Sequence, residues 1–476
     1  MRFSEFFRLA HSQPALDFVD IDPDEDIPLF FDPYTFVNET DPFSEACASS
    51  LNSFFNTVID CVRNQQHERG RALLGRLNEP NELCFGWSKG NPAGRGLGEL
   101  QASQVYDKLA MSEAAKTGLL SDLAECELFI EGIGPDKISD VTANIIRGHL
   151  INYTQEQCEL HGVPMDSVPG GPIWDEQELR WKTGYVRLPI LNGQPVTLVP
   201  KRSVRWIGDL SHQHQKYYRH FVLNFLRDEH LRSNSGLVHV LRNGKKKVYK
   251  KDLEERYPLS KDFLFRFSRD NPQVFERYKE AYKKTKLIDI SEIDEDFDVE
   301  LFVDSLIERL AAIPYGAKYA TDFQNIIVGI LEFIFHPNLT NPKKEQPIHG
   351  GRKRIDITYA NAARDGFFFR MHSHFEITSI WIIVECKNYS ADPENPELDQ
   401  LSGRFSPNRG RFGFLVARRF EDRERFLNRC RDTAMDNRGY ILPLVDSDII
   451  QMLTMIKEGR RHRIDSYLEE LLRHLM

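Results

Sequence analysis

The feature that most constrains the fold is a short apolar run that ends in charged residues. Residues 381–389 read Trp-Ile-Ile-Val-Glu-Cys-Lys-Asn-Tyr, and the β-branched residues near its start are typical of a buried strand. Because side chains alternate along a strand, Glu385 and Lys387 are expected on one face. Burying either charge is costly unless it is paired or takes part in chemistry. The run therefore predicts a buried strand with a polar site at its end.

A second carboxylate lies upstream, in Gly-Gly-Arg-Lys-Arg-Ile-Asp-Ile-Thr-Tyr at residues 350–359. Asp356 precedes Glu385 by 29 residues, and we expect the two on adjacent strands. Two carboxylates and a lysine can hold a hard divalent cation through oxygen and orient a water beside it. This set predicts phosphodiester hydrolysis. A Glu385–Lys387 ion pair that merely closes a sheet is the simpler alternative, but it leaves Asp356 unexplained.

The ordered set of Asp356, Glu385 and Lys387 resembles the PD-(D/E)xK nuclease superfamily, whose core motif is an aspartate on one strand and Glu-x-Lys on the next. Residues 396–405, Pro-Glu-Leu-Asp-Gln-Leu-Ser-Gly-Arg-Phe, resemble the glutamine-bearing helix of its Mrr-like and related restriction-type branches. A proline at the start supports a helix there. The resemblance covers roughly the last third of the chain. It implies a restriction-endonuclease-like mixed sheet flanked by helices and a role in defence against phage or plasmid DNA.

The resemblance also implies a role for each residue of the motif. Asp356 and Glu385, with the backbone carbonyl of Cys386, would hold Mg²⁺, for which Mn²⁺ can substitute. Lys387 would orient or deprotonate the attacking water. Gln400 joins the catalytic set as a residue that positions the site or contacts the nucleic acid strand. Double-stranded DNA is the implied substrate, although nothing in the sequence excludes RNA. Superfamily members that cut duplexes often use two active sites, so a homo-oligomer is expected.

The first helix of this domain departs from the superfamily pattern. Many members carry a metal-binding glutamate there, often after a phenylalanine, but here Phe323 is followed by Gln324. An amide oxygen can bind Mg²⁺ but brings no charge. Glu332, two turns further along the helix, and Asp322 are alternative metal ligands. A solvated acid on the helix surface is the simpler interpretation of Glu332.

The remaining elements of the last third follow from apolar spacing. Apolar residues at helical intervals before Pro337 predict a helix ahead of the Asp356 strand. The gap between the two carboxylates leaves room for an extra hairpin arm. The other predicted elements are, in order, part of that arm at 366–372, a strand at 411–417, a helix at about 421–435, an edge strand at 440–445, and two short helices. Together they predict an α/β fold, α+β over the whole chain, with helices on both faces of a mixed sheet.

Charge is distributed unevenly along the chain. The net charge of −9 divides into −15 over residues 1–200, +11 over 201–290 and −5 over 291–476. The basic middle is therefore the predicted place for a phosphate backbone. Its densest part displays Lys245, Lys246 and Lys247 beside an Asn-Gly pair that predicts a hairpin tip. A solvated loop is the alternative.

Several arginines follow the Glu-x-Lys strand in sequence. We expect them around the same end of the sheet, where they could hold backbone phosphates. Each is also compatible with an ordinary surface arginine. They are Arg404, Arg409, Arg411, Arg418 and Arg419.

These patterns divide the chain into an acidic, α+β sensing or regulatory region at 1–200, a basic, mainly helical region at 201–300 and a nuclease domain at 301–476. The first region would recognise, sense or restrain. One alternative is a gated effector nuclease, kept silent until a trigger ligand or phage component meets that region. A nucleic-acid-binding scaffold with an inactive site is a further alternative. Seven cysteines without a Cys-x-x-Cys pair, no signal peptide and no long apolar stretch predict a cytoplasmic protein outside membranes.

Overall fold

The computed structural model describes residues 1–24, 27–37, 39, 41–77, 81–85, 99–112, 115–116, 120, 123–206, 213–282, 297–348, 353–393 and 395–476. Buried apolar side chains in these segments form two large cores, one drawn from residues 3 to 278 and one from residues 303 to 475 together with Leu160. The acidic and basic regions thus share the first core. All seven cysteines are free thiols. Among the described helices, none combines the length and apolar character needed to span a bilayer.

The first core is mainly helical. Its helices are α1 Phe3–Phe6, α2 Pro33–Val37, α3 Pro42–Arg63, α4 His67–Leu74, α5 Glu99–Met111, α6 Glu125–Phe129, α7 Pro135–His161, α8 Gln213–Tyr217, α9 Leu223–Arg232, α10 Lys250–Arg256, α11 Lys261–Asp270 and α12 Pro272–Tyr282, with a π-helical turn Tyr218–Val222 between α8 and α9. The 27-residue α7 is its longest element. It begins with Pro135 in the first turn and ends before Gly162, whose φ of +70° suits a glycine.

The strands of this half are short and pair in twos. They are β1 Leu29–Phe31, β2 Asp166–Pro169, β3 Ile173–Asp175, β4 Arg180–Lys182, β5 Tyr185–Leu188, β6 Ile190–Leu191, β7 Gln194–Pro195, β8 Val204–Trp206, β9 His239–Val240 and β10 Lys246–Lys247. The pairs are β1 with β8, β2 with β5, β3 with β4, β6 with β7 and β9 with β10. All are antiparallel.

The predicted hairpin of the basic region is confirmed. Strands β9 and β10 join through a turn in which the Leu241 N–H donates to the carbonyl of Lys245 at 2.9 Å. Gly244 at the tip has a φ of +77°, which favours glycine there. Lys245, Lys246 and Lys247 are exposed. The lysines are therefore displayed to solvent from an ordered turn.

The second core surrounds a five-stranded sheet in the order β11 to β15. Its strands are β11 Leu339–Ile348, β12 Lys353–Asn361, β13 Trp381–Lys387, β14 Phe412–Ala417 and β15 Tyr440–Val445. Its helices are α13 Val299–Ala312, α14 Ala320–Phe335, α15 Gly366–Ser373, α16 Asn395–Ser402, α17 Arg423–Met435, α18 Asp446–Lys457 and α19 Arg463–Arg473. Strands β11, β12 and β13 are antiparallel, whereas β13, β14 and β15 are parallel. The predicted mixed sheet with flanking helices is confirmed.

The individual elements agree closely with those expected, with one exception. Helices α14, α16 and α17, strands β14 and β15, and the two closing helices are confirmed, and β15 lies at the sheet edge as its proline predicted. Residues 366–372 do not belong to a hairpin arm but form α15. Phe367, Phe368 and Met371 follow helical spacing and are buried, and Asp465 accepts the N–H of Phe367 at 3.0 Å. Burial of that apolar face stabilises the segment as a helix.

Two buried charge clusters connect the N-terminal half to the sheet domain. In the first, the Arg202 guanidinium contacts Glu39 and donates to the carbonyls of Pro337 and Ala362, the latter at 2.6 Å. Arg364 of the sheet domain contacts the same Glu39. These groups come from both halves, so neither half satisfies them by itself.

The second cluster is centred on Lys201, which is 2% exposed. Its Nζ lies 3.7 Å from Glu332 Oε1, and the His336 Nδ1 lies 3.4 Å from the same carboxylate oxygen. Asp17 completes the group and accepts hydrogen bonds from the Tyr153 hydroxyl at 2.7 Å and from a backbone N–H at 3.1 Å. Burial raises the pKa of Asp17 and of Glu332 to about 7 each, and the charge of Lys201 opposes both shifts.

Candidate active site

The predicted site forms where strands β12 and β13 stop pairing. The last paired residues of their ladder are Ile357 and Val384, so Asp356 and Glu385 are the next residue on each strand. Alternation then places both on the face opposite Ile357 and Val384, with Lys387. The structure thus brings the three motif residues to one face at one end of the sheet, as the sequence predicted.

Glu385 is completely buried, and two cations compensate its negative charge. Its Oε1 accepts a hydrogen bond from Lys387 Nζ at 2.9 Å, and its Oε2 forms an ion pair with Arg404. Arg404 is itself 4% exposed. A buried carboxylate between two cations is an electrostatic site rather than a surface ion pair, because solvent does not screen it.

Asp356 is half-buried and faces the backbone of β13. Its Oδ2 accepts the N–H of Cys386 at 3.1 Å. In a strand the N–H and carbonyl of one residue point to the same side, so the carbonyl of Cys386 is also directed towards Asp356. Asp356, Glu385 and this carbonyl offer the oxygen ligands that Mg²⁺ and Mn²⁺ accept. The residues present therefore fit a hard divalent cation.

Two further cations lie within electrostatic reach of Asp356. Burial lowers the pKa of Arg404, and the Asp356 charge partly opposes that shift. Burial likewise lowers the pKa of Lys344 on β11, against the charges of Glu345, the Cys386 thiol and Asp356. Arg404 also contacts Glu385 directly. Its guanidinium therefore contacts one of the two carboxylates and lies within electrostatic reach of the other.

The arginines do not cluster as the sequence predicted. Arg404 binds Glu385 instead of lying on the surface. Arg418 is buried, where it holds Asp446 at 2.8 Å and the carbonyl of Ile313 at 2.7 Å. Both are corrections: their guanidinium groups are engaged by the protein, which leaves them no exposed face for a phosphate.

Two of the other arginines also depart from the expected position. Arg409 and Arg411 precede β14, and the parallel register of β13 and β14 places them beside Trp381, at the start of β13. Glu385 and Lys387 lie at the other end of that strand. The prediction that all these residues share one end of the sheet is therefore wrong for Arg409 and Arg411, because the length of β13 lies between them and the carboxylates.

Glu332 does not contact the motif residues, and Gln400 is exposed. Helix α14 packs on the sheet face opposite the site, where the Tyr359 hydroxyl donates to the carbonyl of Val328 at 3.1 Å. Glu332 on that helix joins Lys201 instead of Asp356, so its predicted role in the same metal site is wrong. Gln400 is exposed on α16. Its proposed part in catalysis stays a prediction.

Sequence reasoning missed Arg404 as the partner of Glu385 and missed Lys344 altogether. The sequence predicts Arg404 as a phosphate contact or an ordinary surface arginine, and neither interpretation pairs it with Glu385. Lys344 is one of two adjacent lysines. It pairs with Ile357 and donates to Asn325 on α14, so it lies on the sheet face opposite Asp356 and acts on that carboxylate only through its charge. Lys343 instead binds Glu156 at 2.6 Å. No signal in the sequence distinguishes the two.

Comparison with known proteins bears on the N-terminal half alone. Residues 8–211 match a family described as Domain of unknown function (DUF8370). The matched stretch ends well before the sheet domain and includes none of the motif residues. No curated protein and no solved structure was found to match the chain. The assignment of the site therefore depends on its geometry.

Proposed function

We propose that this protein is a divalent-metal-dependent nuclease that hydrolyses phosphodiester bonds in DNA, with a sheet domain of the PD-(D/E)xK kind. The observation that carries the proposal is the meeting of Asp356, Glu385 and Lys387 on one face at the end of the β12–β13 ladder. A scaffold protein would have no need to bury a carboxylate between two cations at that point. Cleavage of phage or plasmid DNA is the role that the resemblance favours.

The order of elements supports the same proposal. A helix precedes an antiparallel meander of three strands, and the Glu-x-Lys strand β13 then pairs in parallel with β14. Helix α16 between β13 and β14 carries the glutamine that the restriction-type branches place there. The resemblance thus extends from three residues to the connectivity of the sheet.

The chain's own residues account for the chemistry as follows. Asp356, Glu385 and the carbonyl of Cys386 would hold Mg²⁺, which supplies a Lewis acid for the phosphate and acidifies a water. Lys387 donates one hydrogen bond to Glu385 and keeps two further N–H groups for an attacking water and the phosphate oxygens. Its positive charge stabilises the negative charge that develops in the transition state. Burial of Glu385 excludes bulk water and strengthens these interactions.

The decisive test compares wild type with Glu385→Gln, which keeps the shape of the side chain and removes its charge. Supercoiled plasmid, linear duplex and single strands are each incubated with Mg²⁺, Mn²⁺ or EDTA. We expect metal-dependent cleavage by wild type and by Glu424→Gln, an exposed control on α17, and none by Glu385→Gln. Cleavage that survives in Glu385→Gln, or that persists in EDTA, would refute the proposal.

The Arg404 contact favours a nuclease that is restrained until metal binds. Mg²⁺ and the guanidinium compete for Glu385, because both neutralise the same carboxylate. We predict that Arg404→Met binds Mn²⁺ at least tenfold more tightly than wild type, measured by titration calorimetry without substrate. Repulsion from a like charge a few ångströms from a bound ion makes the free energy of binding less favourable by about 4 kcal/mol at an effective dielectric constant of 20. A tenfold gain in affinity is therefore a conservative expectation.

The matched control for this prediction is Arg438→Met. Arg438 pairs with Asp399 at 2.7 Å on helix α16 and does not contact Glu385. Its variant should bind Mn²⁺ as wild type does. Weaker binding in Arg404→Met would show instead that the guanidinium helps to build the metal site.

The exposed hairpin is the proposed contact for the phosphate backbone. We predict that the triple change of Lys245, Lys246 and Lys247 to alanine weakens duplex binding equally for unrelated sequences. Each lost phosphate contact lowers the slope of log affinity against log salt by about 0.9, so the slope should fall by up to about 2.7. Fluorescence anisotropy at several salt concentrations measures it. An unchanged slope would place the backbone contact elsewhere.

A further inference from the structure

A cavity of about 240 Å³ lies where the N-terminal half meets the sheet domain, on the α14 side of strand β11. Its walls come from the segment after α1, the carboxyl end of α7, the amino-terminal half of α14 and strand β11. Polar side chains line much of it, namely His11, Glu159, His161, Thr321, Asn325 and Lys344. A pocket of this size suits a compact ligand, since drug-sized molecules occupy about 300 to 1,000 Å³.

The cavity has a cationic side. Lys344 Nζ donates to Asn325 Oδ1 at 2.9 Å, and within the described residues no carboxylate lies at ion-pair distance from it. Arg309 lies close enough to His11 to act on its charge. Burial and Arg309 lower the pKa of His11 to about 4, and burial and the nearby His11 lower that of His161 to about 3. Both imidazoles are therefore uncharged near pH 7, and Lys344 is the cation among the described residues that line the cavity.

The two helix termini at the cavity have opposite effects on a bound anion. Thr321 lies in the first turn of α14, where the helix dipole favours an anion, whereas α7 ends at the cavity and its dipole opposes one. Glu159 is exposed at the rim. Lys344 thus supplies the positive charge that an anion in the cavity would meet. Because donors approach from separate elements, they suit a group with acceptor oxygens on several sides, as phosphate has.

We infer that this cavity binds a compact phosphorylated small molecule, with its phosphate against Lys344 and its remainder against the two histidines. Since Lys344 also acts on Asp356, occupancy of the cavity changes the electrostatics of the proposed catalytic centre. That regulatory part rests on the proposed nuclease function, whereas the binding site stands without it. The ligand would touch both halves of the chain at once, as a signal between them requires.

The test measures binding and needs no nuclease activity. Inorganic phosphate and ribose 5-phosphate are titrated calorimetrically into wild type, with ribose as the uncharged control. We expect both phosphates to bind and ribose not to bind. In Lys344→Met the affinity should fall at least tenfold, and Lys344→Arg should restore part of it. Lys343→Met is the matched control, because that neighbouring lysine pairs with Glu156 outside the cavity.

Each other outcome overturns the inference. Absence of binding at 10 mM phosphate or ribose 5-phosphate excludes the site, and binding that survives in Lys344→Met places it elsewhere. His161→Asn serves as a second variant if Lys344→Met unfolds. If a 5′-phosphorylated oligonucleotide binds in a Lys344-dependent way while the two small phosphates do not bind, the cavity is a site for the end of a nucleic acid strand and not for a small molecule. If ribose 5-phosphate binds but leaves the wild-type cleavage rate unchanged, the regulatory part is wrong.

Discussion

Lys387→Met is expected to lower the rate of metal-dependent DNA cleavage by about 10²- to 10⁴-fold, the usual contribution of a positioned proton-transfer group. The methionine keeps most of the side-chain volume but loses the three N–H donors and the charge. DNA binding should change little, because Lys387 is a single buried group and the exposed lysines lie on the β9–β10 hairpin. Single-turnover cleavage at saturating protein separates the chemical step from binding.

Two control variants make this prediction specific. Lys387→Arg keeps the charge but not the compact ammonium, and should recover little activity because a guanidinium cannot exchange protons near neutral pH. Lys457→Met removes a more exposed lysine–carboxylate pair, between Lys457 on α18 and Asp304 on α13 at 2.6 Å, and should cleave as wild type does. Equal cleavage by Lys387→Met and wild type would contradict the proposed role of Lys387.

The second large effect concerns stability. Lys201→Met is expected to lower the free energy of unfolding by about 3–5 kcal/mol at pH 8, because it leaves buried Asp17 and Glu332 without their cation. Equilibrium urea unfolding measures the change. The exposed control Lys251→Met, whose side chain is 84% accessible, should alter stability by less than about 0.5 kcal/mol.

The pH dependence of stability provides an internal control for Lys201→Met. The pKa values of Asp17 and Glu332 are raised to about 7, so both carboxyls bind protons in the folded protein at pH values where the unfolded chain does not. Their protonated forms are stable in the fold, and stability is lost as pH rises through about 7. The penalty of Lys201→Met should therefore shrink at pH 5.5. A penalty that is equal at both pH values would indicate lost packing instead of an uncompensated charge.

This cluster also limits how gating can be tested. Removing residues 1–200 would leave Lys201 at a new terminus and delete Asp17 and Glu39, which bind Asn341 and Arg364 of the sheet domain. Such a truncation is expected to unfold the sheet domain rather than release its activity. Point variants at Lys344 or Arg404 test restraint without breaking the buried contacts.

Local patterns in the sequence were enough to predict most of the sheet domain. Apolar alternation with a Glu-x-Lys ending defines β13, helical spacing defines α14, and a proline marks β15 as an edge strand. These signals are local because strand and helix periodicities appear within a few residues. The same reasoning placed Asp356, Glu385 and Lys387 together, since adjacent strands bring fixed positions to one end.

Tertiary structure alone decided which charges meet. Arg404, Lys344 and Glu332 carry no local mark that separates an active-site cation from a surface residue or a metal ligand from a buried contact. Their partners lie between 19 and 131 residues away in sequence, at Glu385, Asn325 and Lys201. Strand register and the packing of α14 on one sheet face settle those contacts. The sequence thus determined the elements and the motif of Asp356, Glu385 and Lys387, whereas long-range packing determined their electrostatic environment, because charge interactions depend on distance in space and on burial.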